Sequence, residues 1–115
     1  MKNYDRITDM TTYVFDIDGT LCSNSFGNYY LAEPFSERIA QVNKLFFEGH
    51  KIFLLTARGM GSSNNDVDMA CRKWKKFTEI QTAEWGLRYH QLFFGKPAGD
   101  FYIDDKAINE SEFFT

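Results

Sequence analysis

Thr12-Tyr13-Val14-Phe15-Asp16-Ile17-Asp18-Gly19-Thr20-Leu21 is the stretch on which the reading of this chain turns. A β-branched and aromatic run meets an acid at Asp16, and a second acid follows two positions on. A short, nearly all-apolar run of this kind suits a central strand in a parallel sheet covered on both faces. The abrupt change at Asp16 then puts polar groups at the carboxyl end of the strand, where open parallel sheets gather their ligands.

The same pattern recurs along the chain. Lys51 to Leu55 reads as a second buried strand, delivering Thr56-Ala57-Arg58. Gln91 to Phe94 reads as a third, followed by Lys96, and Phe101-Tyr102-Ile103 as a fourth, ending in Asp104-Asp105. Between the first two lies a Gly/Ser/Asn-rich loop, Gly19 to Glu33, and a helix introduced by Pro34 and Ser36. That helix sets Ile39, Val42, Leu45 and Phe46 on one face and stops at Gly49. A second polar loop, Arg58 to Asn65, leads to a long helix capped by Asn65 or Asp66. Its apolar face holds Val67, Ala70, Cys71, Trp74 and Phe77, Thr78 is the place for a break, and Gly86 ends it. The tail from Ile108 to Thr115 reads as a short helix or turn that docks Phe113 or Phe114. Strand and helix alternate with short connections, which predicts right-handed βαβ units. The expected fold is α/β: a three-layer α/β/α sandwich on a small, Rossmann-like parallel sheet, with residues 1–115 forming one domain.

Composition excludes several functions. The 115 residues are 43% hydrophobic with 12 Phe, enough for a core and unlike a disordered chain. A net charge of -3 supplies no broad basic field, so neither nucleic acid nor an anionic membrane is an expected partner. No stretch approaches the ~20 apolar residues of a membrane span, and the start of the chain has no apolar signal core. The expected location is cytoplasmic. Cys22 and Cys71 are too few and too far apart for a disulfide framework or a thiolate metal site.

Taken in order, these strand ends resemble the haloacid dehalogenase-like phosphohydrolases over most of the chain, from Tyr13 to Lys106. Phe15-Asp16-Ile17-Asp18-Gly19-Thr20-Leu21 is similar to the first motif of that family. Leu54-Leu55-Thr56-Ala57-Arg58 is similar to the second, Lys96 to the third, and Ile103-Asp104-Asp105 to the fourth. The resemblance implies a phosphatase in which Asp16 attacks phosphorus to give an aspartyl-phosphate. Asp18 would protonate the leaving oxygen and later deprotonate water. Thr56 would hydrogen-bond a phosphoryl oxygen, and Lys96 would pair with Asp16 and the phosphate, with Lys106 as its rival. Gly19, Thr20, Ala57 and Arg58 would lie around the phosphate. Mg²⁺ would be held by Asp16, the Asp18 carbonyl, Asp104 and Asp105, since clustered carboxylates without His or Cys favour a hard cation.

One departure from the family concerns the connection before the fourth strand. Relatives place a helix there, and Lys96-Pro97-Ala98-Gly99-Asp100 leaves no room for it. Neither long gap holds a cap domain, so the resemblance is to a capless form. Thr56-Ala57-Arg58-Gly59 and Phe94-Gly95-Lys96-Pro97 narrow it to small bacterial proteins of capsule and lipopolysaccharide sugar biosynthesis, with a phosphorylated sugar or sugar-derived metabolite as substrate. An open site also implies a homo-oligomer, dimer or tetramer, with a neighbour supplying the lid. The alternatives are a receiver-like phospho-acceptor domain, whose motif order differs, and a non-catalytic assembly partner.

Several residues have plainer expected roles. Arg58 divides evenly between an anion contact and a surface salt bridge. Arg72, Lys73, Lys75 and Lys76 read as a solvated helix face, His50 and His90 as structural, and Cys22 as a buried thiol. Trp74 and Trp85 suit helix core or a subunit contact.

Overall fold

β1 spans Thr12–Phe15, β2 Lys51–Thr56 and β3 Gln91–Phe94, and they form one parallel sheet in the order β1-β2-β3. The computed structural model describes residues 10–115. The part of the expected signal-free start that runs from Met1 to Asp9 lies outside them. Helix α1, Ser36–Phe47, links β1 to β2, and α2, Val67–Glu84, links β2 to β3. A short α3, Glu110–Phe113, closes the chain. The α/β sandwich expected from the alternation is the fold that forms.

Both long helices stop for one reason. Gly49 and Gly86 adopt φ of +101° and +73°, a region costly for any residue with a Cβ. Past Gly49, His50 N–H donates to Leu45 O, and past Gly86, Leu87 N–H donates to Thr82 O, each satisfying a carbonyl left over at the helix end. At the start of α2 the Asp66 side chain accepts from Met69 N–H at 3.2 Å. α2 runs unbroken through Thr78, which is buried and bonded to a loop arginine rather than marking a break.

Register sorts the sheet into two unlike faces. Tyr13 lies beside Ile52, and Phe15 beside Leu54, which lies beside Leu92. These residues join Ile17, Leu21, Ile39, Val42 and Leu87 in the core, with Phe113 and Phe114 packed against it. Phe15 meets the Phe113 ring edge-on at 5.5 Å, so the tail docks as expected. The other parity carries Val14, Phe53, Leu55 and Phe93, and that face is much more open, Val14 being 57% exposed. Truncating Ile52 or Leu54, both fully buried, would cost about 2–5 kcal/mol.

Two expectations are corrected. Among the described residues β1 is an edge strand, and β2 takes the central position. Phe101-Tyr102-Ile103 forms no strand: the segment is exposed and pairs with no strand among the described residues. Parallel pairing needs a crossover of about a dozen residues or more, and only Gly95 to Asp100 separate it from β3. Among the described residues no helix is long and apolar enough to cross a membrane.

Candidate active site at the strand outlets

The turn after β1 is built almost entirely from its own backbone. Thr20 N–H and Leu21 N–H donate to Ile17 O, and Gly19 N–H donates to Cys22 O at 2.8 Å. Gly19 sits at φ +86°, and Ile17 is buried beneath the turn, so Asp16 and Asp18 face outward together. Asp16 accepts from the Thr20 hydroxyl at 3.2 Å, and Lys96 Nζ lies 3.4 Å from its other oxygen. Burial pushes the Asp16 carboxyl above the usual carboxylate range, and the Lys96 charge and the Thr20 hydroxyl pull partly against that.

Asp18 is held very differently. Arg58 Nε donates to one of its oxygens at 2.9 Å and an Arg58 terminal nitrogen to the other at 3.0 Å. The Arg58 side chain is fully buried, and its remaining terminal nitrogen donates to Gln81 Oε1 at 2.7 Å and to Thr78 Oγ1 at 3.2 Å. The guanidinium also lies 4.8 Å from the Tyr29 ring centroid. Arg58 was expected either at the phosphate or in a surface salt bridge, and it is a buried clamp on Asp18. Thr56 reaches the β2 outlet but is fully buried, its hydroxyl accepting from Arg58 N–H at 3.1 Å.

Tyr29 ties the loop after β1 to this clamp. Its hydroxyl accepts from Gly59 N–H at 2.9 Å, its carbonyl accepts from Gln81, and its ring meets Trp74 edge-on. Gly59 is required at that contact: its φ is +77°, and a Cβ there would come within 2.7 Å of the Trp74 ring. Asp16, Asp18, Asn24, Phe26, Gly27, Tyr29, Ala57, Arg58, Lys96, Gly99 and Tyr102 line a cavity of about 310 Å³, the lower end for small-molecule sites. A second hollow, about 330 Å³, is lined by Phe35, Ser36, Glu37 and Arg38 and contains none of the outlet residues.

The structure therefore brings Asp16, Asp18, Ala57, Arg58 and Lys96 to one cavity, with Gly19 and Thr20 in the turn behind and Thr56 beneath. Lys96 carries the ion pair to Asp16, while Lys106 lies beside Asp104. Asp104 and Asp105 are exposed and do not line the cavity, Asp104 instead accepting from Lys106 N–H at 2.9 Å. Among the described residues no group of three or more His, Cys, Asp or Glu side chains could hold a metal ion. With Asp104 and Asp105 away from the cavity that Asp16 lines, the side-chain donors of one chain do not gather into the set expected for Mg²⁺.

Other side chains fall into place around the site. Burial and the Asp18 charge push the Cys22 thiol up to about 12, so it is no nucleophile. His50 and His90 accept backbone N–H groups from Thr11 and Ile52 through Nδ1 and are structural. Trp74 serves the Tyr29 contact, and the helix positions Arg72, Lys73, Lys75 and Lys76 are exposed. Sequence reasoning did not single out Asn24, Phe26 and Tyr102, on loops where no periodicity operates, or Tyr29, which opens a short 3-10 helix at Tyr29–Leu31. Phe26-Gly27 could have been found as a turn, because both adopt positive φ and Asn28 N–H closes back on Ser25 O.

No protein-family model matches the chain, and no curated protein does. A crystal structure of a structural-genomics target from Vibrio cholerae is similar, with a TM-score of 0.84 and 28% identity. The match covers 92% of this chain and 89% of that one, so the two share a fold along nearly their whole length.

Proposed function

We propose that the protein hydrolyses phosphate monoesters through an aspartyl-phosphate on Asp16. The observation that carries this reading is the charge arrangement at one cavity. Asp16 lies at the outlet of β1 with the Lys96 ammonium 3.4 Å away, and Asp18 faces the same space from two residues on. An Asp16 oxygen forms a bond to phosphorus as the bond to the leaving alkoxide breaks, and the alkoxide takes up a proton. Lys96 offsets the anionic charge of both carboxylate and phosphoryl group, which otherwise repel each other. Water then cleaves the acyl phosphate, releasing inorganic phosphate and restoring the Asp16 carboxylate.

The clamp supports a role for Asp18 in the second step. With both oxygens accepting from Arg58, the carboxylate is oriented as an acceptor, which suits removal of a proton from the attacking water. Protonating the leaving group requires Asp18 to turn one oxygen away from Arg58. Thr56 acts through Arg58, whose backbone it fixes, and does not itself reach the cavity.

Phe26 and Tyr29 give the cavity aromatic walls beside its charges, which suits a small polar ester carrying apolar C–H faces. A phosphorylated sugar or sugar-derived metabolite of surface polysaccharide synthesis fits that description, in a cytoplasmic setting where Cys22 and Cys71 stay free. The test is phosphate release from a panel of sugar phosphates. Selective turnover of one class supports the reading, and no release from any ester, with or without Mg²⁺, overturns it.

A further inference from the structure

The sheet has an open side. β1 pairs with β2 along Thr12–Phe15, and among the described residues no strand lies against its other edge. Thr11 O accepts from Lys51 N–H, so by alternation Tyr13 and Phe15 direct their backbone groups to β2 while Thr12 and Val14 direct theirs outward. An apolar edge left in this state is a template for another strand.

The chain carries a segment that matches this edge. Phe101-Tyr102-Ile103 repeats the aromatic and β-branched character of Tyr13-Val14-Phe15, and Asp104 follows Ile103 as Asp16 follows Phe15. Phe101 is 87% and Ile103 98% exposed, far from the burial their side chains favour.

Its own β1 is out of reach. β3 lies on the far side of β2, so the outer edge of β1 is three strand spacings away, about 14 Å. Five residues from Lys96 to Phe101, fully extended, reach about 17 Å at most. That leaves almost nothing for descending alongside the strand or passing around Asp16 and Asp18. The start of the segment is also curled, not taut. The Tyr102 hydroxyl donates to Pro97 O at 2.6 Å and accepts from Gly99 N–H, and its ring lies 4.3 Å from Lys96 Nζ. The far end is pinned by the Arg38–Glu110 ion pair at 2.6 Å and by Phe113 and Phe114 on Phe15. Residues 97–109 are an arm fixed at both ends with its apolar middle projecting.

We propose that this arm is exchanged between two copies of the chain. Tyr102 of each copy gives up its contacts with Pro97, Gly99 and Lys96, and Phe101–Asp105 adds as a parallel strand to the outer edge of β1 in the other copy. Aligned on the shared pattern, Ile103 falls beside Phe15 and Asp104 beside Asp16, so Phe101 and Ile103 gain the covered face of the sheet. The outlet of each copy then receives two carboxylates from its neighbour, the oxygen donors that one chain fails to gather. This last step rests on the proposed phosphatase reaction, whereas the exchange does not.

Three measurements test it. In sedimentation velocity at micromolar concentration the wild type should run as a dimer or a dimer of dimers. Ile103→Asp should run as a monomer with an unchanged far-UV spectrum, because the side chain is almost wholly exposed within one chain. A monomeric wild type, or an undisturbed assembly in the variant, overturns the exchange. In a Cys71→Ser background, Val14→Cys and Tyr102→Cys chains refolded together should oxidise to a linked pair containing one of each. A double variant that links only within a single chain overturns the exchange in favour of self-pairing. Refolding equal amounts of Asp16→Asn and Asp104→Asn should restore about a quarter of wild-type turnover, since half the dimers pair unlike chains and each has one intact outlet. Active wild type without complementation overturns the shared site. Cross-linking without turnover of any ester would leave the exchange standing and remove the phosphatase.

Discussion

Asp16-Ile17-Asp18 and Asp104-Asp105 both follow a short apolar run, yet only the first pair is held in place. Behind Asp16, β1 is paired with β2, the turn closes on three backbone hydrogen bonds, and Arg58 grips Asp18 from a buried position. Behind Asp104 there is no strand partner among the described residues, and its side chain accepts from the turn that follows. An acid at a strand end is a site only when the strand has a neighbour. The first pair finds that neighbour within the chain, and the proposed exchange would supply one to the second from another copy.

The contrast can be broken most severely at Asp16. Asp16→Asn should lower turnover by about 10⁴-fold or more, because a neutral amide cannot displace an alkoxide. Steady-state assay of the purified variant checks this, and more than a few per cent of wild-type activity would move the nucleophile elsewhere. Next in size is the clamp. Arg58→Met leaves Asp18, Gln81 and Thr78 without their shared donor, and removing one partner of a buried ion pair costs about 3–5 kcal/mol. A thermal melt should show a fall of more than about 10 °C. An unchanged midpoint would mean that Asp18 is not held as described.

Lys96→Met should have a smaller effect with two parts. Losing the cation should cut kcat/KM by about 10²-fold. It also removes the charge that opposes burial at Asp16, so that carboxyl should rise further and the acidic limb of the rate profile should shift to higher pH. A limb that moves down, or stays still, would separate Lys96 from Asp16. Smallest of all is Lys106→Ala. Lys106 is exposed and makes no ion pair with Asp16, so stability should change by less than about 0.5 kcal/mol and turnover by less than twofold. A large loss of turnover would restore it as the rival to Lys96.

Much of this could be read in the sequence because it is local. The glycines that stop α1 and α2, the Asp66 cap, the three paired strands and the Asp16–Asp18 turn all depend on neighbours within a few positions. The Arg58 clamp was not legible. Its partners lie on the turn after β1 and two-thirds of the way along α2, and no pattern signals that Thr78 and Gln81 face inward. Phe101-Tyr102-Ile103 has strand character, but character alone cannot supply a neighbour. The short Lys96 to Asp100 connection was the better signal, because it already denied the room that a crossover needs.

The central claim is that Asp16 becomes phosphorylated and that Asp18 is required for its release. Asp18→Asn keeps the shape of the side chain and one acceptor for Arg58, but it removes the base that deprotonates water. With an aryl phosphate, whose leaving group needs little protonation, the first step should proceed and the second should stall. Mass spectrometry of the quenched variant, with borohydride trapping of the acyl phosphate, should find the label on Asp16. Label on Asp104, Asp105 or a histidine, or full turnover with no label on any residue, would contradict the account.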